Sequence, residues 1–352
     1  MEWYTELENN TVKKRVFLFG AGTRTLNFFK ILPKDSAILD RIEAILDNSK
    51  EKLGELFLNR YLVESPLVLQ KGNLSDIYII ITSGHYLEIE DQLVNQLNIS
   101  KENIYYNLEY MVDEQFLQWQ IKDEHREDIK KLKNSLFDEK SKKMLDEIIY
   151  NRNNNIFDYS NLKSDPQYFL LDILDFSNEE VFIDGGGYSG DTIKEFITLT
   201  DNKYEKIYSF EPGETSFAII EKNFSNDERI ECFNLGLWDK ESSLFFEDNG
   251  LDLGNKVSTQ GNIEIKVNSI DNLIQGPVTF IKMDIEGAEL EALEGAKTII
   301  QKYKPKLAIC IYHKYDDLWR IPNYIKELVP EYKLFIRHHS LMNSDTVVYA
   351  TI

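Results

Sequence analysis

The residues most able to bind a ligand form a glycine-rich run between Phe182 and Thr192, which reads FIDGGGYSGDT. Its glycines match G-x-G-x-x-G, and Glu211 follows about twenty residues later, where a dinucleotide-binding loop has its ribose-binding acid. Such glycines permit a tight turn and a close approach of the backbone to a ligand. Because a strand-like segment precedes the run and a helix-like segment follows it, a ligand-binding loop is favoured over a plain turn.

Asp184 bears on which ligand this loop binds. A pyrophosphate prefers backbone N–H groups without a neighbouring carboxylate, whereas an ammonium or sulfonium group is attracted by one. The charge therefore favours S-adenosylmethionine over NAD, with the acid near the methionine part and Glu211 on the ribose hydroxyls. The predicted cofactor contacts here are Asp184, Gly185, Gly186, Gly187, Tyr188, Ser189, Gly190, Asp191, Thr192, Glu211 and Pro212.

Further residues able to do chemistry follow later strand-like segments. Asp284 ends one of them in KMDIEGAE and is predicted to face the cofactor, although capping of the next helix would also explain it. Lys282, on the same inner strand, needs an acid partner or a ligand. Together with Asp284 it is a predicted catalytic residue, which would orient Asp284 or the substrate. His313 ends the next strand and is the predicted general base, with an ordinary histidine as the alternative. Asp316 is predicted to hold its tautomer.

The acceptor cleft is expected at the same edge of the sheet, because ligands of open α/β folds lie at the carboxyl ends of the strands. Glu286, Tyr312, Asp316 and His338 are the predicted substrate-binding residues, and an exposed loop is the alternative for His338. Asp284, Glu286 and Asp316 offer oxygen ligands of the type that hard cations prefer. No ligand spacing is diagnostic, and no metal is predicted.

Alternating strand-like and helix-like segments position these residues and predict α/β sheets. From residue 181 onward the pattern predicts a doubly wound seven-stranded sheet, and the short connection between the last two strands requires that they be antiparallel. A hairpin insertion is predicted at residues 244–246 and 263–267. The seven strands are expected at residues 181–184, 207–210, 230–234, 278–284, 307–312, 332–337 and 346–349.

The chain divides into three predicted parts. Residues 1–111 read as a smaller Rossmann-like α/β domain of the nucleotide-binding type, with strands at residues 16–19, 42–46 and 77–81. Residues 112–175 are charged, lack strand-like runs and read as a helical connector. Residues 176–352 form the domain that contains the glycine run.

The first part has its own candidate loop, VFLFGAGTRTLNFF. Gly20 and Gly22 could admit a phosphate, Arg24 could contact it, and Asp47 could bind a ribose. A threonine replaces the third glycine, so the dinucleotide pattern is incomplete. Two interpretations stay open: a site for a nucleotide or nucleotide-sugar, and a degenerate domain used for packing or for a homodimer.

Composition limits the partners. The 352 residues are 42% hydrophobic and carry a net charge of −20, which disfavours nucleic acid and anionic membranes. The two cysteines form no C-x-x-C pattern. The acidic N-terminal stretch lacks an apolar signal segment, and no apolar run reaches the length of a membrane span. We therefore expect a cytoplasmic protein that acts on a small molecule or a glycan.

Several stretches resemble the FkbM family of S-adenosylmethionine-dependent methyltransferases, over about half of the chain. The family signature, close to K-x-D-x-E-G-x-E followed by L-x-G-A, matches FIKMDIEGAELEALEGA. The glycine run differs at one point, because the family often has D-x-G-A-N-x-G where Gly187 and Tyr188 stand here. Other stretches that resemble the family are IYSFEPGETSFAIIEKNF, NLGLWD and IEIKVNSIDNL.

The resemblance implies a class I methyltransferase fold, S-adenosylmethionine as cofactor, and methyl transfer to a hydroxyl, with a sugar of a surface glycan or glycosylated metabolite as acceptor. It also implies, together with their position in the fold, that Gly236 and Leu237 flank the adenine. Residues 1–111 more loosely resemble small Rossmann-like domains attached to sugar-modifying enzymes. The alternatives are an NAD-dependent nucleotide-sugar enzyme and a non-catalytic cofactor-binding scaffold.

Overall fold

The computed structural model describes residues 2–71, 73–111, 116, 118–246 and 263–352. The backbone divides into two compact units, Met1–Gln118 and Trp119–Ile352. Each unit is an α/β structure with its own central sheet. Within the described residues, no helix combines the length and the low charge that crossing a bilayer requires.

The first unit contains a six-stranded sheet. Its strands are β1 (Arg15–Phe19), β2 (Ile42–Leu46), β3 (Leu56–Phe57), β4 (Tyr61–Glu64), β5 (Ile77–Ile81) and β6 (Ile104–Tyr105). Their order is β3-β4-β2-β1-β5-β6, and only the β3–β4 pair is antiparallel. All five residues of β5 are buried, as expected for an inner parallel strand. The structure has β1, β2 and β5 within one residue of the predicted bounds, whereas β3, β4 and β6 are too short to give an alternating pattern.

The helices of the first unit connect its strands. The glycine loop after β1 leads into α2, whose observed bounds are those predicted by its apolar periodicity. The helix after β5 begins at Tyr86 and continues as a π-helical turn over Gln92–Gln96. The α-helices are α1 (Glu2–Asn10), α2 (Thr23–Ile31), α3 (Ala37–Arg41), α4 (Tyr86–Asp91) and α5 (Leu108–Met111), and short 3₁₀ segments occupy Lys50–Lys52, Pro66–Lys71, Leu74–Asp76 and Lys101–Asn103.

The second unit contains a seven-stranded sheet. Its strands are β7 (Val181–Gly185), β8 (Lys206–Phe210), β9 (Ile230–Phe233), β13 (Phe280–Met283), β14 (Lys306–Cys310), β15 (Lys333–His338) and β16 (Thr346–Thr351). Their order is β15-β16-β14-β13-β7-β8-β9, and β16 is antiparallel to both of its neighbours. The predicted fold class, including the antiparallel last strand, is confirmed.

Successive side chains of β7 cover opposite faces of this sheet. Phe182 packs with Phe196 and Phe280 in one apolar cluster, whereas Ile183 belongs to the cluster that contains Leu145. Helices therefore bury both faces of the sheet. The helices of the second unit are α6 (Arg126–Ser135), α7 (Glu139–Asn154), α8 (Asp191–Leu199), α9 (Glu214–Phe224), α10 (Ile270–Leu273), α11 (Glu289–Glu294), α12 (Lys297–Tyr303) and α13 (Asp317–Leu328), with 3₁₀ segments at Asp123–His125 and Ser160–Leu162.

A separate three-stranded sheet interrupts the doubly wound pattern. The predicted hairpin is present as β11 (Ser242–Phe246) and β12 (Ile263–Asn268), which are antiparallel. A short strand that was not predicted, β10 (Gly236–Leu237), pairs with the other side of β12. The apolar periodicity of residues 288–301 predicts one long helix, but the chain forms α11 and α12 instead. Gly295 separates them, and a Cβ there would lie 2.0 Å from the Trp238 carbonyl oxygen, so this close backbone approach ends α11.

Helices α6 and α7 belong to the second unit. Asp138 caps α7 by accepting the Ser141 N–H at 2.8 Å, and it also contacts Arg337 Nη2 of β15 at 2.6 Å. Arg337 is buried, so this ion pair ties α7 to the edge of the sheet. The run at residues 153–155 was expected to be a loop, but α7 continues to Asn154 and only Asn155, with φ of 51°, leaves the helix.

Candidate active site

A cavity of about 990 Å³ lies at the carboxyl ends of β7, β8 and β13. Its volume is in the range of sites for small molecules and cofactors. Of the described residues that line it, the acids outnumber the lysines. The acids are Asp191, Glu211, Glu214, Glu264, Asp284 and Glu286, and the lysines are Lys266 and Lys282.

The glycine loop brings its backbone close to this cavity. Gly186 has φ of 76°, and a Cβ there would lie 1.9 Å from the Asp284 carbonyl oxygen. Gly190 has φ of 77°, and a Cβ there would lie 2.5 Å from the Phe224 ring. Only glycine fits both conditions. Tyr188, also at positive φ (43°), is about half exposed and lines the cavity.

Glu211 braces this loop from the end of β8. Its Oε2 accepts the Tyr188 N–H at 2.8 Å and its Oε1 accepts the Gly213 N–H at 2.8 Å. Burial raises the pKa of Glu211 above its ordinary value, while these two amides act in the opposite direction. The carboxylate faces the cavity and retains lone pairs that can accept further hydroxyl groups.

Asp184 forms a buried ion pair with Lys282 under the loop. Asp184 Oδ1 lies 3.1 Å from Lys282 Nζ, and both side chains are at most 3% exposed. Lys282 also donates to the carbonyl oxygens of Gly185 and Gly186 at 3.1 and 2.8 Å. Burial disfavours the charge of Lys282, but Asp184 and Asp284 outweigh it and raise its pKa.

This geometry corrects the predicted role of Asp184. Its carboxylate does not line the cavity, because it is fully buried beneath the loop. Its negative charge is matched by Lys282, which does line the cavity. The pair therefore fixes the loop, and the acidity of the cavity comes from other carboxylates.

Asp284 lies at the floor of the cavity with its side chain 24% exposed. Tyr168 donates its hydroxyl to Oδ2 at 2.8 Å, and Tyr312 donates to Oδ1 at 3.1 Å. Burial alone would raise the pKa of Asp284, but His313, Lys282 and Tyr168 hold it below its ordinary value. Asp284 is therefore an ionised, well-oriented acceptor at neutral pH.

His313 is buried behind Asp284 among carboxylates. Its Nε2 lies 3.3 Å from Asp284 Oδ1 and 3.7 Å from Glu286 Oε2, and its Nδ1 lies 3.0 Å from Glu289 Oε1. Burial opposes the charged form, but Glu289, Asp284 and Glu286 raise the pKa of His313 to about 10. A ring that already carries its proton at neutral pH cannot accept another, so the predicted general-base role is corrected.

Two further site predictions are corrected by their surroundings. Asp316 does not orient His313, because Glu289 occupies that position and Asp316 pairs with Arg320 Nη1 at 2.9 Å. His338 does not line the cavity. It is fully buried, with Nδ1 2.9 Å from Thr346 Oγ1, and burial lowers its pKa to about 3.

The structure brings most of the remaining predicted residues to one place. Tyr312 contacts Asp284 from behind, and Gly185, Gly187, Ser189 and Gly190 belong to the loop without lining the cavity. The predicted residues on the cavity wall are Gly186, Tyr188, Asp191, Thr192, Glu211, Pro212, Gly236, Leu237, Lys282, Asp284 and Glu286.

Sequence reasoning missed Tyr168 and Glu289. Tyr168 comes from the irregular segment before β7, 116 residues from its partner Asp284, and no motif surrounds it. Glu289 is the last acid of the KMDIEGAE signature, and its complete burial was the missing information. The signature itself was the signal that could have identified Glu289.

The glycine loop of the first unit is already engaged by its own side chains. Asp47 accepts the Ala21 N–H at 2.7 Å and the Ser49 N–H at 2.8 Å. Lys52 lies 3.6 Å from Asp47 and donates to the Ala21 carbonyl oxygen at 3.0 Å. Of the other predicted residues, Gly20 (φ of 116°) packs on Thr82, Gly22 begins α2, and the Arg24 guanidinium lies against Gly84.

The cavity of the second unit fits S-adenosylmethionine. The positive-φ glycines form a cradle that a Cβ would fill, and Glu211 offers a carboxylate to ribose hydroxyls. The excess of acids on the wall suits a ligand with a sulfonium and an ammonium group, and disfavours a pyrophosphate. Glu211, the loop backbone, Gly236 and Leu237 are the residues that would hold it.

Comparison with known proteins agrees with this geometry. Residues 184–339 match the sequence model of the methyltransferase FkbM domain. The second unit carries an FkbM methyltransferase domain. The enzyme class predicted from the sequence, an S-adenosylmethionine-dependent methyltransferase, is thereby confirmed together with its cofactor. No curated protein sequence matches the chain.

A solved structure shares the fold of this chain. A crystal structure of methyltransferase FkbM from Methylobacillus flagellatus KT has 22% identity and a TM-score of 0.62, covering 98% of this chain and 93% of that one. The likeness therefore extends over both units. An rRNA methylase from Streptococcus thermophilus has 16% identity and a TM-score of 0.33, covering 51% of this chain and 88% of its own.

Proposed function

We propose that the FkbM domain transfers a methyl group to a hydroxyl, and that the acceptor is a sugar of a glycan or glycosylated metabolite. The observation that carries this proposal is the Asp284 carboxylate on the cavity floor. It is partly exposed, ionised and oriented by Tyr168 and Tyr312, and it lies beside the glycine loop. An alcohol acceptor needs such a group to receive its proton.

The residues divide the work between binding and proton transfer. When bound, S-adenosylmethionine would supply a methyl group activated by its sulfonium, which leaves as a thioether when the methyl group passes to an oxygen nucleophile. Glu211 and the loop backbone hold the ribose and the methionine part in place. Asp284 accepts the hydroxyl proton as the new O–CH₃ bond forms, so that an ether, a protonated carboxyl and a thioether result. Alignment by the cavity wall supplies the remainder of the rate.

Polar and aromatic groups beyond Asp284 support a sugar acceptor. The described wall of the cavity includes Gln167, Trp238, Glu264 and Lys266. A polyhydroxylated ring needs several hydrogen-bonding groups and an apolar surface against which to pack, and this wall offers both. The family resemblance supports the same class of acceptor.

Methyl transfer to a panel of nucleotide sugars and glycans, read by mass spectrometry, tests the proposal. We expect one acceptor to gain a methyl group, and Asp284→Asn to lower kcat by roughly a hundredfold or more. The matched control is Asp316→Asn, which removes a nearby acid outside the site. If Asp284→Asn turned over the acceptor like the unaltered chain, Asp284 would not be the proton acceptor.

For the first unit, we infer that its glycine loop serves packing or association rather than phosphate binding. Asp47 already accepts a hydrogen bond from the Ala21 N–H, and a carboxylate at that position repels a phosphate. Calorimetry with uridine diphosphate and with a uridine diphosphate sugar tests this inference. We expect no heat of binding from residues 20–24, so that Arg24→Ala leaves the titration unchanged. A binding signal that Arg24→Ala abolishes would establish the nucleotide site instead.

A further inference from the structure

Four ionisable side chains of the FkbM domain converge behind and beside the cavity floor. The His313 ring lies between Glu289, 3.0 Å from Nδ1, and the pair Asp284 and Glu286, 3.3 and 3.7 Å from Nε2. One donor atom each of Asp284, Glu289 and His313 lies within 4.8 Å of the others. Three negative charges surround this ring, and either a proton on the ring or a bound metal ion can balance them.

The side chains of His313 and Glu289 are buried, yet three of their four polar atoms lack a hydrogen-bond partner of acceptable geometry. His313 is 8% exposed and Glu289 is fully buried. Among the described residues, neither ring nitrogen of His313 nor Glu289 Oε2 has a hydrogen-bond partner of acceptable geometry. Buried polar atoms are nearly always satisfied, so atoms of this kind call for a ligand.

The spacing around Nε2 suits a metal ion better than a hydrogen bond. A charge-assisted N–H···O contact is about 2.7–2.9 Å long, and both contacts of Nε2 are longer. Two donor atoms that bind the same ion at about 2.1 Å, at right angles, lie about 3 Å apart. The separations of 3.3 and 3.7 Å need only a small adjustment to meet that geometry.

We propose that His313 Nε2, Asp284 and Glu286 bind a divalent cation at the floor of the cavity, and that this cation replaces the proton which Nε2 otherwise carries. Glu289 is the positioning residue. Its Oε1 accepts the Ile285 N–H at 2.9 Å and faces His313 Nδ1, which directs Nε2 toward the other two carboxylates. Metal-bound histidines commonly have a carboxylate next to their second nitrogen, and Glu289 lies at that position, 3.0 Å from Nδ1.

The donor set indicates the kind of cation. Two carboxylates and one imidazole suit Mn²⁺, which keeps its remaining positions for water or substrate, better than Mg²⁺, which prefers oxygen ligands throughout. Asp284 and Glu286 line the cavity, so those positions open toward the acceptor. The role of the cation rests on the proposed methyl transfer. The cation would hold the acceptor hydroxyl beside Asp284 and lower the pKa of that hydroxyl, so that Asp284 accepts its proton more readily.

Binding of Mn²⁺ to the chelator-treated full chain tests the proposal, with electron paramagnetic resonance reporting the free ion. We expect saturable binding of one Mn²⁺ per chain. His313→Gln and Glu286→Gln should each weaken it at least tenfold, and Glu289→Gln by roughly tenfold to a hundredfold. Asp316→Asn is the matched control and should leave it unchanged.

Two outcomes would overturn the site: no saturable Mn²⁺ binding, or equal affinity in all four variants. A proton on His313 would then be the neutralising cation. If His313→Gln failed to fold, Glu286→Gln would still decide, because the Glu286 side chain is 45% exposed. Full turnover of an acceptor in the presence of a chelator would reject the metal alone, whereas bound Mn²⁺ without methylation of any acceptor would reject the proposed function alone.

Discussion

The two glycine loops of the chain, at residues 20–22 and 185–190, are held in the same way. In the first unit, Gly20 donates to the Leu46 carbonyl oxygen, and the next residue, Asp47, accepts a loop amide. In the second unit, Gly186 donates to the Phe210 carbonyl oxygen, and Glu211 likewise accepts a loop amide. An acid at the end of the second strand therefore braces such a loop whether or not a ligand binds.

The loops differ in the charges around them. Beneath the first loop lie Phe19 and Thr82, and Lys52 neutralises the bracing acid Asp47. Beneath the second lies the buried pair of Asp184 and Lys282, and its bracing acid faces a cavity. We conclude that the glycines and the bracing acid are features of the fold, whereas the buried charges and the acidic cavity indicate which ligand binds.

Replacing a glycine in each loop by alanine should give the largest difference between the two loops in their effect on cofactor binding. In Gly186→Ala, the new Cβ would meet the Asp284 carbonyl oxygen, so we expect calorimetry to show a loss of S-adenosylmethionine affinity of roughly a hundredfold or more. Gly22→Ala is the control, because nothing lies within 4 Å of a Cβ there. Equal effects of the two variants would contradict the comparison.

The next test removes the lysine that pairs with an acid beside each loop. Lys282→Met leaves Asp184 buried without a partner, which should reduce the free energy of unfolding by about 3–5 kcal/mol. Lys52→Met removes an ion pair that is one-third exposed and should cost about 1 kcal/mol or less. Thermal denaturation of both variants measures the difference. A melting temperature of Lys282→Met equal to that of Lys52→Met would show that the buried pair contributes nothing.

Neutralising the bracing acids tests which one contacts the cofactor. Glu211→Gln should weaken S-adenosylmethionine binding about tenfold to a hundredfold, because hydrogen bonds to a charged acceptor are lost. Asp47→Asn should leave that binding unchanged. Calorimetric titration of both variants gives the affinities, and unaltered binding by Glu211→Gln would remove Glu211 from the ribose site.

Lowering the pH should also destabilise the second unit, by a smaller amount than Lys282→Met does. Burial keeps His338 neutral in the folded second unit, with a pKa of about 3 against an ordinary value of 6.5, so the unfolded chain takes up the extra proton between these values. The contribution of neutral His338 to the free energy of unfolding is complete above pH 6.5. Below pH 6.5 this contribution falls by about 1.4 kcal/mol per pH unit. The first unit has only the exposed His85. Urea unfolding of His338→Asn at pH 7 and pH 5.5 should show a smaller pH dependence than the unaltered chain, and an identical dependence would refute this account.

The positions of the main strands and the antiparallel direction of the last strand could be predicted from the sequence. Inner strands such as β7 and β5 are continuous apolar runs, and the connection between β15 and β16 is too short for a crossover. The break between α11 and α12 could not be predicted, because it depends on the approach of the Trp238 carbonyl to Gly295.

The sequence identified many residues of the site, but it predicted their chemical roles less well. Their positions at the ends of predicted strands identified Asp284 and His313, but the proton affinity of His313 depends on three carboxylates that meet only in the folded chain. Likewise, Asp184 is an acid next to glycines in the sequence, and its burial against Lys282 becomes visible only when β7 and β13 pair. Tyr168 lies in a segment with no periodicity or motif.

The contact between Asp138 and Arg337 sets a limit on truncation. The matched FkbM domain begins at residue 184, yet the last strands of its sheet depend on α7, which ends at Asn154, 30 residues earlier. A fragment starting at residue 176 would lose the carboxylate that neutralises a buried guanidinium and would expose the apolar side chains that α6 and α7 cover. The shortest autonomous catalytic fragment should therefore begin near Trp119.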